Sequence, residues 1–153
     1  MTTLTLDDLD KRILEVLAAR SKTSIRRLAR ILGKPVSTIY DRVKRLEKLG
    51  VIEKYTIKVN AQKIGYQVKA LILVNVDGKH IEEVEKEISR HPNVLTVLDI
   101  TGEYDVAVIA MFKSIEELDR FIKKLIKNPY IKQTRTSIAF RTVKEEINPP
   151  VMD

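Results

Sequence analysis

Cysteine is absent from this chain, and so is tryptophan. Without thiols, disulfides, thiolate metal sites and cysteine nucleophiles are all excluded, which fits a reducing compartment, and a cytoplasmic location is expected. Histidine is nearly absent too: His80 and His91 are the only two, eleven residues apart, with no clustered carboxylates beside them. That spacing offers no metal-ligand pattern, so neither a metal nor another cofactor is expected. No nucleophile stands in an acid–base constellation, so no catalytic residue is assigned. The longest apolar runs have only the length of a strand, as in ALILV at 70–74, so no membrane partner is expected. The opening MTTLTLDDLDKR lacks the basic start and apolar core of a signal peptide. What remains is a composition 44% hydrophobic and 32% charged, enough apolar material for real cores.

The charge is unevenly placed. Residues 1–60 hold 14 Lys/Arg against 7 Asp/Glu, while residues 61–153 hold 14 of each. The whole net charge of +7 therefore falls on the first two-fifths of the chain. It is densest over 20–48, where Arg20, Lys22, Arg26, Arg27, Arg30, Lys34, Arg42, Lys44, Arg45 and Lys48 face only Asp41 and Glu47. A basic patch confined to one module is the electrostatic footprint of a nucleic-acid-binding protein, although a solvated face with no partner has the same composition.

Periodicity divides the chain at the same place. Leu9, Ile13, Val16 and Leu17 recur at helical spacing, with Thr5 and Asp8 placed to form a capping box. A second apolar stripe, Ile25, Leu28, Ala29 and Leu32, opens at Ser24 and closes at Gly33. The third is Ile39, Val43 and Leu46, closed by Gly50. Two short helices joined by a turn carrying Gly33 and Pro35, after a first helix, make a helix-turn-helix. VIEKYTIKV at 51–59 then alternates, with Tyr55, Ile57 and Val59 on one face, and reads as the strand a wing requires. NAQKIGY at 60–66 breaks the pattern and is the expected hinge.

Beyond it, strands are expected near 67–77, 94–101, 105–113 and 133–143, with helices near 80–90 and 115–127. This is the βαββαβ order of a ferredoxin-like domain. IEEVEKEISR…HPNV at 81–94 and IEELDRFIKK…NPYI at 115–131 form an imperfect repeat of the βαβ unit. The segments ALILVNV (70–76) and VAVIAMF (106–112) are nearly continuous apolar runs, where a sheet with one solvated face would alternate. Both faces of these strands must then be buried, and a second subunit is the economical cover for the side without helices. The fold class is accordingly α+β: a winged helix-turn-helix over 1–59, a hinge at 60–66, a ferredoxin-like domain over 67–146 and a tail at 147–153. Pro149-Pro150 in that tail stops any strand, and the segment is expected to be mobile.

LDDLDKRILEVL, then RRLARILGKPVSTIYDRVKRLEKLGVIEKY, then TGEYD at 101–105 resemble the Lrp/AsnC, or feast/famine, family of transcription regulators, in matching order over about residues 4 to 146. The resemblance implies a regulator that binds double-stranded DNA, dimerises through its sheets, assembles further into tetramers or octamers in many cases, and often responds to an amino acid held between dimers. It also implies where that effector sits: beside Thr101, Gly102, Glu103, Tyr104 and Asp105, and beside Thr134 and Thr136 of the last strand. On the residues alone, TGEYD reads as a tight hairpin, with Gly102 supplying turn freedom and Asp105 accepting local backbone bonds. Asn75, odd in an apolar strand, is assigned an interface hydrogen bond.

A helix turns about 100° per residue. With Ile39, Val43 and Leu46 facing the core, Ser37, Asp41, Lys44 and Lys48 point away from it, flanked by Thr38 and Arg45. The N-terminal part of a recognition helix generally reaches base edges. Ser37, Thr38 and Asp41 are therefore the base-reading candidates, although Asp41 would need a cytosine amino group to offset its repulsion from DNA. Lys44, Arg45 and Lys48 are better placed for phosphates, with Arg26 and Arg27 on the preceding helix and Lys54 in the wing. Arg42 matches an arginine usual in the family's third helix; it is assigned a phosphate, with a salt bridge to a neighbouring acid as the alternative. Pro35 stands where family members often have serine, and Pro is tolerated at a first helical position.

Two other readings stay open. An architectural protein could coat DNA through phosphates alone, without operators. Some haem-pathway decarboxylases resemble this family in overall plan, but the chain shows no constellation that would serve such an enzyme.

Overall fold

The computed structural model describes residues 5–152. They form two compact units: one holds the residues up to Val59 together with those from Lys144 onward, the other runs from Asn60 to Val143.

The first unit is built on three helices, α1 (Asp8–Ala19), α2 (Ile25–Leu32) and α3 (Val36–Lys48). Their apolar stripes meet in one core of Ile13, Leu17, Leu28, Ala29, Leu32, Ile39, Val43 and Leu46. Each stripe supplies residues three or four apart, the spacing that keeps them on one face. The caps define the turn between α2 and α3. Ser24 accepts from the Arg27 N–H at 3.2 Å, and Gly33 closes α2 in the left-handed region at φ +64°, where a side chain would be strained. The capping box of α1 lies two residues later than the spacing suggests, at Asp7 and Asp10 rather than Thr5 and Asp8. Carboxylates at both positions allow each to accept the other's backbone N–H, at 2.9 and 3.3 Å. Pro35 is not the first helical residue but the N-cap of α3, without a side-chain cap bond.

Residues 53–59 form no strand. They carry no ladder within this chain, and Tyr55, Ile57 and Val59 are exposed. The alternating pattern is real, but nothing in the described residues pairs with it. The tail does not stand apart either: Lys58 Nζ donates to the Glu145 carbonyl, and residues 144–152 cluster with the first unit although they have no regular structure.

The second unit has β1 (Val68–Val76), α4 (Ile81–Ser89), β2 (Val94–Asp99), β3 (Val106–Phe112), α5 (Ile115–Leu125) and β4 (Ile131–Ile138). The strands form one antiparallel sheet in the order β2-β3-β1-β4, the ferredoxin-like arrangement. β4 starts and ends earlier than the 133–143 expected, because the turn at Asn128–Tyr130 hands directly to Ile131. A short 3-10 turn at Gln62–Ile64, ending at Gly65 with φ +97°, precedes β1.

Alternate residues of β1, from Val68 through Ala70, Ile72 and Val74 to Val76, join Val106, Val108, Ala110 and Phe112 of β3 beneath Val84, Ile88, Leu118, Phe121 and Leu125 of the helices. The intervening residues point the other way, and at the middle of the sheet they are also apolar. Leu71 (43% exposed) pairs with Ile109, and Leu73 pairs with Ala107. Leu98, half exposed, pairs with Ala107 from the other side. The sheet therefore has one face under helices and a second apolar face that no described residue covers.

Candidate nucleic-acid interface and effector turn

On α3 the residues assigned to base reading stand at the start of the helix and clear of the core: Ser37 and Asp41 are exposed and Thr38 half-buried. The basic residues separate into two groups. Arg26, Arg27, Lys48 and Lys54 are exposed and form no ion pair among the described residues. Lys44, Arg42 and Arg45 are each paired with an acid.

Lys44 Nζ bonds Glu47 at 3.0 Å and lies 5.8 Å from the centre of the Tyr40 ring. The other oxygen of Glu47 accepts from the Tyr55 hydroxyl at 2.9 Å. These bonds hold the Glu47 carboxyl below its usual range, the Lys44 bond first and the Tyr55 bond second. The Tyr55 hydroxyl is pushed up to about 12, chiefly by burial and then by Glu47. This chain of contacts ties the extended segment after α3 to the helix itself.

Arg42 takes the salt-bridge alternative. Its Nη1 bonds Asp7 at 2.5 Å and Asp10 at 3.1 Å. The Asp7 carboxyl is held low by the Asp10 backbone N–H, then by Arg42. Arg42 lies on the flank of α3 that faces the start of α1, within reach of the carboxylates that cap α1. Arg45 bonds Asp10 as well, at 2.9 Å. Sequence spacing alone did not reveal this cluster, because the partners are more than thirty residues apart. The signal available was the excess of aspartates at Asp7, Asp8 and Asp10, more than one cap needs.

The TGEYD segment connects β2 to β3 across residues 100–105, longer than a tight hairpin, with Ile100 N donating to the Asp105 carbonyl at 2.8 Å. Gly102 sits at φ +118°, a conformation that favours glycine. The Asp105 side chain reaches outside the turn: its Oδ2 takes the Val76 N–H of β1 at 2.7 Å. Asn75 Nδ2 donates to the Glu103 carbonyl at 2.9 Å, so this polar residue anchors the turn within the chain. Tyr104 is buried (8% exposed). Residues 101–103 are exposed, and the backbone N–H groups of Gly102, Glu103 and Tyr104 donate to nothing among the described residues.

The strand register places Thr134 opposite Val74 and Thr136 opposite Ile72, on the helix-covered side of the sheet at its β4 edge. Gln133 pairs with Asn75 and so lies across β1 from the turn. Thr134 is thus one strand removed from the turn, and Thr136 further along. Both histidines pack against aromatic rings. His80 stacks on Tyr130 with ring centres 3.5 Å apart, and His91 packs edge-on to Phe121 at 4.8 Å. Among the described residues no cluster could hold a metal, and no helix is long and apolar enough to cross a membrane.

Residues 69–149 match the family profile described as the Lrp/AsnC ligand binding domain, and residues 6–53 match a winged helix-turn-helix DNA-binding profile. The chain belongs to the Lrp/AsnC family. It is 43% identical over 141 residues to an uncharacterised HTH-type transcriptional regulator of Pyrococcus furiosus, covering 92% of this chain and 95% of that one. The solved structure of E. coli AsnC superposes with a TM-score of 0.87 at 26% identity, covering 94% of this chain and 97% of that one. A regulator from Neisseria meningitidis, solved in complex with L-Met, shares the fold with a TM-score of 0.90 at 23% identity, over 96% and 97% of the two chains. This chain is thus an Lrp/AsnC-type transcription regulator, with a helix-turn-helix module and a ligand-binding domain.

Asp105→Ala removes the acceptor of a partly buried N–H on β1. Urea unfolding should show a loss of about 1–3 kcal/mol, with the helix-turn-helix still folded by circular dichroism.

Proposed function

We propose that this Lrp/AsnC regulator binds palindromic operators in double-stranded DNA as a homodimer, or as a tetramer or octamer of such dimers, under the control of an amino acid. The observation that carries the DNA half is the coincidence of the whole +7 charge excess with a module whose α3 leaves Ser37, Thr38 and Asp41 clear of the core. These three are the base readers. Arg26, Arg27, Lys48 and Lys54 take phosphates from an unpaired state, and Lys44 and Arg45 do so while sharing charge with Glu47 and Asp10. Arg42 serves the scaffold rather than a phosphate.

The dimer rests on the uncovered apolar face of Leu71, Leu73, Leu98, Ile109 and Met111. A face of this kind is excluded from water by a second copy of itself, since a two-fold axis brings like patches together. The effector reading rests on the exposed turn 101–103 with its undonated N–H groups, which offer a carboxylate its donors, and on the Neisseria relative solved with L-Met. Thr101, Gly102, Glu103 and Asp105 are its nearest residues on this reading. Thr134 stands at the margin, Thr136 beyond it, and buried Tyr104 contributes its backbone.

Competition binding tests the DNA reading. The chain should prefer the region upstream of its own gene over scrambled duplex by 10³-fold or more, on the order of known specific binders. Ser37→Ala with Thr38→Ala should erode that preference, while Lys48→Ala should weaken all duplexes alike. Equal binding to operator and scrambled DNA would instead identify a coating protein. For the effector, a thermal-shift screen of the twenty amino acids should find at least one that raises Tm, because a ligand of the folded state stabilises it; no shift with any of them contradicts amino-acid control.

A further inference from the structure

Asp10 is the one charged side chain among the described residues that is buried, at 1% exposed. A buried carboxylate remains only when its oxygens are filled, and these are. Oδ1 accepts from Arg42 Nη1 at 3.1 Å. Oδ2 accepts from Arg45 Nη1 at 2.9 Å and from the Asp7 N–H at 3.3 Å. The two arginines stand three residues apart on α3, so one carboxylate at the start of α1 grips both over a single turn of the recognition helix. They are not equivalent. Arg42 is also held by Asp7 and is the less exposed; Arg45, 44% exposed in its side chain, has Asp10 as its one acid partner among the described residues.

We propose that Asp10 is a positioning residue for DNA binding: it holds Arg45 by one nitrogen so that the remaining guanidinium N–H groups meet a phosphate. A guanidinium is a planar fork of five donors, and fixing one edge fixes the direction of the others. The rotamer freedom of a long side chain, otherwise lost on binding, is already lost in the free protein. Because Asp10 is buried under the arginines, its charge does not confront the phosphate directly. Arg42, gripped by two aspartates, secures α1 to α3 and keeps Asp10 in place. This rests on the reading of α3 as the DNA-contacting helix and adds to it the residue that orients one contact.

The test is a double-mutant cycle on the full chain, with affinity for the upstream duplex measured by fluorescence anisotropy across a salt series and folding checked by thermal melting. Arg45→Ala should bind about tenfold more weakly and lower the slope of log K against log salt by about one. Asp10→Asn should reproduce most of that loss in the wild-type background and add nothing to Arg45→Ala. Additive losses, unchanged affinity or tighter binding by Asp10→Asn would overturn the proposal, tighter binding showing that Asp10 merely neutralises Arg45. No effect of Arg45→Ala would overturn the phosphate role of Arg45 itself, and with it this proposal. Should Asp10→Asn fail to fold, Arg45→Lys decides. An ammonium keeps the charge but has three freely turning donors in place of a planar fork, so holding Asp10 fixes no outward edge, and it should bind closer to Arg45→Ala than to the wild type; binding like the wild type would overturn the proposal.

Discussion

Strands β1 and β3 carry apolar side chains on both faces, and helices α4 and α5 cover only one of them. An uncovered sheet face of this kind is costly in water at roughly 25 cal/mol for each square ångström of apolar surface left exposed. The constraint reaches beyond the second unit. If a second copy covers the face, every assembly contains helix-turn-helix modules in pairs, and a pair reads DNA with two-fold symmetry. The requirement for a partner thus comes from packing, while the choice of DNA as ligand comes from charge.

The charge itself is not spread as a uniform coat. Of the basic residues on α3, Arg42, Arg45 and Lys44 each meet an acid, and Lys48 meets none among the described residues. Pairing of this kind lowers the raw attraction to phosphate but holds long side chains in fixed directions. Such a surface suits register on a duplex better than indiscriminate adhesion. The second unit, with 13 Lys/Arg against 11 Asp/Glu, suffers little of the repulsion from its own copy that a strongly basic sheet would meet.

Most of the architecture was legible in the sequence because it is written in local periodicity. Helical stripes at Ile25–Leu32 and Ile39–Leu46, and the caps Ser24 and Gly33, need no information from elsewhere in the chain. What escaped were choices between near neighbours and contacts across long separations. Asp7 displaced Thr5 as the cap of α1, one good capping residue for another. Arg42 and Arg45 found Asp10, more than thirty residues away, and Asn75 found Glu103, 28 residues away. The 53–59 segment misled for a different reason: its alternation is that of a strand, but a strand needs a ladder partner, and this chain supplies none among its described residues. Of the proposed effector residues, the turn itself was recognisable from Gly102, whereas the face on which Thr134 and Thr136 lie depends on a register that a sequence does not state.

The account turns on paired modules reading one duplex. Footprinting on the upstream DNA, combined with the solution mass of the protein–DNA complex, measures this directly. An even number of chains per site, with protected half-sites about 10–10.5 base pairs or a multiple of that apart, is the result expected. One chain per site with a single protected segment would contradict it.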